Sequence, residues 1–256
     1  HMNVQGAALA TVIAEYATLL IGLLMVRKVL HMRGISLAML KQAWRGNFRR
    51  LLALNRDIML RSLLLQLCFG AITVLGARLG GDIIAVNAVL MTLLTFTAYA
   101  LDGFAYAVEA HSGQAYGARD GSQLLDVWRA ACRQSGIVAI LFSLVYALFG
   151  EQIVALLTSL PQIQLLADRY LFWQVVLPLV GVWCYLLDGM FIGATRAAEM
   201  RNSMAVAAAG FALTLLALPL LGNHGLWLAL TVFLALRGLS LAFIWRRHWR
   251  NGTWFA

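Results

Sequence analysis

The sequence predicts an all-α polytopic membrane protein of about seven transmembrane helices, and three observations carry that expectation. Of 256 residues, 62% are hydrophobic and 12% charged, with a mean hydropathy of +0.79; a soluble domain carries about 25% charged residues. The apolar runs are long and continuous, not ten-residue alternating segments, which selects helices over a closed barrel. Only those two forms satisfy their own backbone in lipid. The basic residues sort into alternate loops, the positive-inside pattern. The net charge of +9 is therefore read as a topology signal, and no nucleic-acid partner is expected.

The first run covers about residues 4–26, holds the carboxylate of Glu15 and ends at Arg27-Lys28. A basic stretch over residues 41–56 follows. Leu37, Leu40, Trp44, Phe48 and Leu51 recur at helical spacing, with Lys41, Arg45, Arg49 and Arg50 largely off that stripe. This fits a helix lying on an anionic leaflet or, equally, a solvated basic linker. The second run spans 57–79 and turns at Gly80-Gly81-Asp82. The third spans 83–116, longer than the roughly 20 residues a bilayer needs, and is expected to protrude. The fourth covers 124–158, with Asp126, Arg129 and Arg133 in its early turns. The fifth, 171–195, contains Pro178 and Asp188; the sixth, 204–221, carries Pro219. The seventh, 226–245, contains Arg237 and ends in Arg246-Arg247-His248-Trp249-Arg250.

Loops after the first, third, fifth and seventh runs hold nearly all the basic residues, and the other side keeps only Arg78 and Arg169. This puts the N-terminus outside and the C-terminus in the cytoplasm. No cleavable signal peptide is expected. A weak repeat relates Gly6-Ala7-Ala8-Leu9-Ala10 to Gly225-Leu226-Trp227-Leu228-Ala229, each followed at the same distance by a basic pair, Arg27-Lys28 and Arg246-Arg247. A parallel duplication would make residues 1–34 the last helix of a preceding, missing lobe. Residues 35–56 are then a basic linker and 57–256 a six-helix lobe.

The chemistry centres on Leu101-Asp102-Gly103-Phe104 and Leu187-Asp188-Gly189-Met190. A charge at bilayer depth costs roughly 2.5–3.5 kcal/mol on insertion scales, so such residues face a protein interior or a wet cavity. Each carboxylate either handles ions or substrate, or packs helices through hydrogen bonds. In the third run Asn87, Thr95, Asp102, Tyr106 and Glu109 fall near one face. Asp102 and Glu109 are two turns apart, roughly 10 Å along the axis, far enough to relay a proton but not to share one. Glu109 can equally be hydrated at the helix end. In the fifth run Gly181, Tyr185, Asp188 and Thr195 share a face flanked by Trp183 and Phe191. An aromatic-lined carboxylate suits a lipophilic cation, a proton or sodium. Pro178 permits a kink, static or different between two states. Arg237 is expected to form a structural ion pair, with Asp188, Asp102 and Glu15 as candidate partners.

Enzyme signatures are absent: there is no Gly-x-Ser-x-Gly, His-Glu-x-x-His or phosphate-loop motif. No enzymatic activity, cofactor or metal site is expected. Cys68, Cys132 and Cys184 lie in different runs and read as small apolar packers. Any active transport would draw on an ion gradient or another subunit.

The stretches Asp102-Gly103-Phe104-Ala105 and Ala110-His111-Ser112-Gly113-Gln114-Ala115-Tyr116-Gly117-Ala118 resemble the second-helix signature of a lobe in the multidrug and toxic compound extrusion (MATE) family. Asp188-Gly189-Met190-Phe191-Ile192-Gly193-Ala194-Thr195-Arg196 resembles the tenth helix of that family. The resemblance covers essentially the whole chain and is to the C-terminal portion of such proteins. It implies twelve helices in two lobes around a cavity, and antiport of cationic or amphipathic toxic compounds against protons or sodium across a bacterial inner membrane. Asp188 matches an acid implicated in cation coupling. The seventh-helix acid of sodium-coupled relatives has Gln66 as its nearest polar counterpart here. The implied antiporter uses Asp188 and Asp102 for ion coupling, with Tyr106, Tyr185, Gln66, Asn87 and Phe191 at the substrate cavity. Gly103, Gly181 and Gly189 are expected to let helices approach closely. Two alternatives stand beside it: a half-transporter that needs a missing N-terminal lobe, and a lipid-precursor flippase of the same superfamily. The flippase reading calls for cavity-facing arginines, and the sequence offers Arg237.

Overall fold

The structure, a computed structural model, describes residues 3–43, 46 and 48–256. Every regular element among them is a helix. The chain divides into two compact units, His1–Leu51 and Leu52–Ala256. The first holds α1 (Asn3–Met32) and α2 (Leu37–Ala43). Thr11 and Thr18 on α1 return their hydroxyls to the carbonyls of Ala7 and Ala14 at 3.0 and 2.8 Å. A helix in lipid has to satisfy its polar groups internally in this way. The amphipathic stripe expected through Trp44 and Arg45 lies outside the described residues, as do the side chains of Leu37 and Leu40.

α3 (Phe48–Arg78) leads into the second unit, which continues with α4 (Gly81–Ala118), α5 (Gly121–Leu157), α6 (Pro161–Asp168), α7 (Leu171–Gly193), α8 (Ala197–Leu215), α9 (Leu218–Leu221) and α10 (Asn223–Arg250). The second half of the basic stretch is thus the opening of α3 and not a separate surface helix. Among the described residues six helices are long and apolar enough to cross a membrane: α1, α3, α4, α5, α7 and α10. The run expected at 204–221 differs. α8 starts at Ala197, so its first turns carry Glu199, Arg201 and Asn202, and the helix stops at Leu215. Pro219, without an N–H, then opens the short α9.

Side-chain contacts nevertheless show α8 running the length of the bundle. Ser203 bonds the Arg237 carbonyl and the Ser240 hydroxyl, while Phe211 packs on Phe233. α8 and α10 are therefore antiparallel. Tyr146 reaches the Leu93 carbonyl and Phe142 meets Phe96, so α5 opposes α4. Ser143 donates to the Val175 carbonyl at 2.7 Å, so α5 opposes α7 as well. Near Gly76, α3 meets Asn87 of α4 and Leu226 of α10, and near Arg61 it meets Asp188. Helices α4, α7 and α10 thus run one way and α3, α5 and α8 the other.

α7 is the most buried of the spans, and its backbone sets the bundle's tightest approach. A Cβ on Gly189 would collide with the Ala105 carbonyl of α4, and one on Gly193 would lie 2.7 Å from the Glu109 carbonyl. Gly189 therefore acts as expected. Gly181 makes only ordinary van der Waals contact with Tyr185 and Leu234, and Gly103 has nothing within 4 Å. Gly103 falls on an exposed face of α4 and carries no helix contact.

Each end of the bundle is closed by polar bonds. At one end, the buried Asn87 exchanges hydrogen bonds with Asn223 at 2.9 and 2.8 Å and accepts from the Trp227 indole. At the other, Thr195 takes a left-handed φ of 56° and turns α7 into α8. Arg196 then donates to the carbonyls of Thr253 and Trp254 and to Glu199, with its guanidinium 4.8 Å from the Trp254 ring. His248 bonds Glu199 at 2.7 Å and Thr253. Trp254 is buried against Tyr116 and Phe191.

Gly189→Ala is expected to lower the thermal midpoint of the detergent-solubilised protein, since overpacking against backbone costs about 1–3 kcal/mol. Gly103→Ala should leave the midpoint unchanged or slightly raised, because alanine is the better helix former. Equal effects in the two variants would contradict the α4–α7 contact.

Candidate functional site: a charged cavity among four helices

The end of α7 brings Asp188 into a cavity of about 350 Å³. α3 contributes Arg61 and Leu65, α4 contributes Asp102, Tyr106 and Glu109, α7 adds Tyr185, and α10 supplies Arg237. The close α4–α7 approach at Gly189 sets Asp102 and Asp188 in the walls of one cavity. Apolar side chains, among them Phe69, Leu94, Leu230 and Leu234, make up much of the rest.

Two guanidiniums converge on a single oxygen of Asp188. Arg61 donates through Nη2 to Oδ2 at 2.7 Å, and Nη2 of Arg237 bonds the same atom. Of the three carboxylates that could have neutralised Arg237, Asp188 is the one in bonding range. Glu15 lies exposed on α1, in the other unit. Asp102 lines the same cavity, but among the described residues it has neither a hydrogen-bond nor an ion-pair partner.

The two arginines are held differently. Arg237 is 4% exposed, lies 5.6 Å from the Phe233 ring, and its backbone carbonyl accepts from Ser203 and Ser240. Arg61 keeps 16% of its side chain exposed, and its buried Nε has no partner. Three carboxylates, Asp102, Glu109 and Asp188, face two guanidiniums, so the fully ionised lining carries one net negative charge.

Asp102, Asp188, Tyr106, Tyr185 and Arg237 therefore come together as lining residues. Gln66, Asn87 and Phe191 do not. Asn87 is committed to the Asn223–Trp227 network at the far end of the bundle. Phe191 is fully buried against Trp254 on the other side of α7, and Gln66 is on an exposed face of α3. Arg61 was missed. It stands inside the second apolar run, the same signal that singled out Asp102.

A family model described as MatE matches residues 58–220. The chain is 91% identical over 256 residues to DNA damage-inducible protein F of Escherichia coli (strain K12), covering all of this chain and 56% of that protein. It is 23% identical over 257 residues to Protein DETOXIFICATION 45, chloroplastic, of Arabidopsis thaliana, covering all of this chain and 44% of that protein. The chain thus spans about half the length of the curated relatives it matches. No solved structure matches it.

Removing a single member of a buried ion cluster costs about 3–5 kcal/mol, whereas removing a matched pair is often near neutral. Asp188→Leu leaves two guanidiniums facing each other and should destabilise strongly. Asp188→Leu with Arg237→Met leaves only the part-exposed Arg61 and should recover much of the loss. A thermal melt of both variants in detergent checks this; a double variant no more stable than the single one would sink it.

Proposed function

The chain belongs to the MatE family, and from that premise we propose that it is the cavity-bearing portion of a membrane antiporter that exports cationic or amphipathic compounds in exchange for protons or sodium. The carrying observation is the charge balance of the cavity. Three carboxylates against two arginines leave room for one positive charge. A proton or a monovalent organic cation restores neutrality, and each can replace the other. Such an exchange needs no cofactor beyond the ion gradient.

Asp102 is the better candidate for the exchangeable site. Asp188 already bonds two guanidiniums, and protonating it would leave both without their carboxylate partner. Asp102 has no hydrogen-bond or close ion-pair partner among the described residues and sits half-buried beside Tyr106. Asp188 then acts mainly by holding the arginines, a change of emphasis from the sequence reading. Alternating access would expose this cavity to one side and then the other. The chain covers 56% of its E. coli relative, which supports a facing lobe completing the cavity.

We assign the basic end of the bundle to the cytoplasm of a bacterial inner membrane. The antiparallel order gathers Arg56, Arg119, Arg129, Arg196, Arg201, Arg246, Arg247 and Arg250 at the end where α3, α5 and α8 begin and α4, α7 and α10 finish. Arg78 and Arg169 fall at the opposite end. This is the charge asymmetry of an inner-membrane protein whose C-terminus is cytoplasmic.

A flippase of anionic lipid precursors has one observation in its favour: two arginines, not one, line the cavity. Asp188 occupies both, however, and the remaining carboxylates would repel an anion.

Efflux of a fluorescent cationic dye from cells lacking their own exporters is the direct test, with the chain expressed alone and together with the remaining portion of its E. coli relative. Asp102→Asn is expected to reduce efflux to background while the protein stays folded and in the membrane. Unchanged efflux would remove Asp102 from the coupling site. Efflux seen only on co-expression would assign the activity to the two lobes together.

A further inference from the structure

The bonding of α3 points to a role for Arg61 that follows from the cavity reading above. Between Leu52 and Leu67 the only buried residue of this helix is Asp57. Asp57 accepts from Arg201 of α8 at 2.6 Å and from the neighbouring Arg56 at 3.2 Å. One turn further on, Arg61 reaches Asp188. Beyond that point the helix is held by apolar packing, with Cys68, Ile72 and Gly76 buried. The first half of α3 is therefore fastened by ion pairs and the second half by close packing.

The two fastenings respond differently to a positive charge in the cavity. Apolar packing is indifferent to it. The Arg61–Asp188 bond is not, because the arriving charge and the Arg61 guanidinium seek the same carboxylate lining. Arg237 does not yield, being packed on Phe233 and tied through its carbonyl to Ser203 and Ser240. Arg61 has 16% of its side chain exposed, an unpartnered Nε and a long flexible stem.

We propose that Arg61 is a tethered competitor for the transported positive charge. Its guanidinium draws on the same carboxylate lining that an organic cation at Asp102 needs, and repulsion by that cation displaces it from Asp188 and releases the first half of α3 from α7. This makes Arg61 a specificity-determining residue. A neutral ligand of the same size fills the cavity but does not displace a guanidinium, so it leaves α3 fastened. A cation both binds and unfastens it. Binding and conformational change are thereby coupled through differential interaction with two states, which any ligand-driven shift requires.

The test uses the purified chain in lipid nanodiscs, with tetraphenylphosphonium as the probe cation and tetraphenylmethane-like neutral aromatics as controls. Spin labels go at Met59→Cys on α3 and Trp183→Cys on α7, both exposed, with the native cysteines replaced by serine or alanine. Without ligand, Arg61→Gln should broaden the label distance toward longer values, and Arg61→Lys should broaden it less. The probe should produce the same broadening in the wild type. The probe should also bind Arg61→Gln about tenfold more tightly than wild type, the weight of one charge-assisted hydrogen bond. Equal affinity and equal distances in wild type and Arg61→Gln overturn the competitor role alone. Absence of probe binding in every form overturns the cation-cavity reading, and the competitor role with it.

Discussion

The Asp188 carboxylate shared between Arg61 and Arg237 is the constraint around which the second unit is arranged. Three charged groups at this depth are costly unless they find one another. Their helices are therefore not free to slide. α3 must place Arg61, α10 must place Arg237, and α7 must present Asp188 between them, all at one level. The Gly189 contact adds α4 to this set, because only a residue without a Cβ lets the Ala105 carbonyl come so near. That contact carries Asp102 and Glu109 into the same cavity. Packing and chemistry are thus fixed together: the glycine that closes α4 on α7 also assembles the charged lining.

Most of the helices were legible because an apolar run in lipid has one structural solution. Where the reading went astray, depth was the reason. Asn87 shares a helical face with Asp102, but fifteen residues separate them, roughly 22 Å along the axis at 1.5 Å per residue. Periodicity assigns a face and says nothing of level, so Asn87 belongs to the opposite end of the bundle, bonded to Asn223. Phe191 lies less than a turn from Asp188 yet faces Trp254. The Asp188–Arg237 pair was among three readings, and only the relative positions of α7 and α10 separate it from the others. Arg61 carried the right signal, a charge within an apolar run, four residues into a run that begins where the basic stretch ends.

The clamp at the basic end had no periodic signal at all. Arg196 gathers two main-chain carbonyls and an indole face from residues more than fifty positions away, together with the carboxylate of Glu199 on its own helix turn. What makes this possible is local: Thr195 in the left-handed region ends α7 and redirects the chain into α8. The clamp fastens the α7–α8 turn to the far end of α10, and so holds the ends of two helices that carry cavity charges. The Asn87 network does the same for α4 and α10 at the other end. Near its start α3 is tied to α8 by the Asp57–Arg201 bond and to α7 by Arg61–Asp188.

This uneven fastening bears on how one lobe could change shape without losing its fold. A transporter needs a rigid part to preserve its site and a part whose position depends on what occupies it. Here α4, α7 and α10 are joined, besides the Arg237–Asp188 pair, by glycine contacts, buried aromatic residues and satisfied polar networks that do not depend on cavity charge. α3 is joined to them at one end in that manner and at the other by bonds between charges. Adding one positive charge to a lining with one net negative charge neutralises the cavity and weakens only the second kind of bond. The element that responds is then selected by the chemistry of its attachment, and its apolar end serves as the pivot.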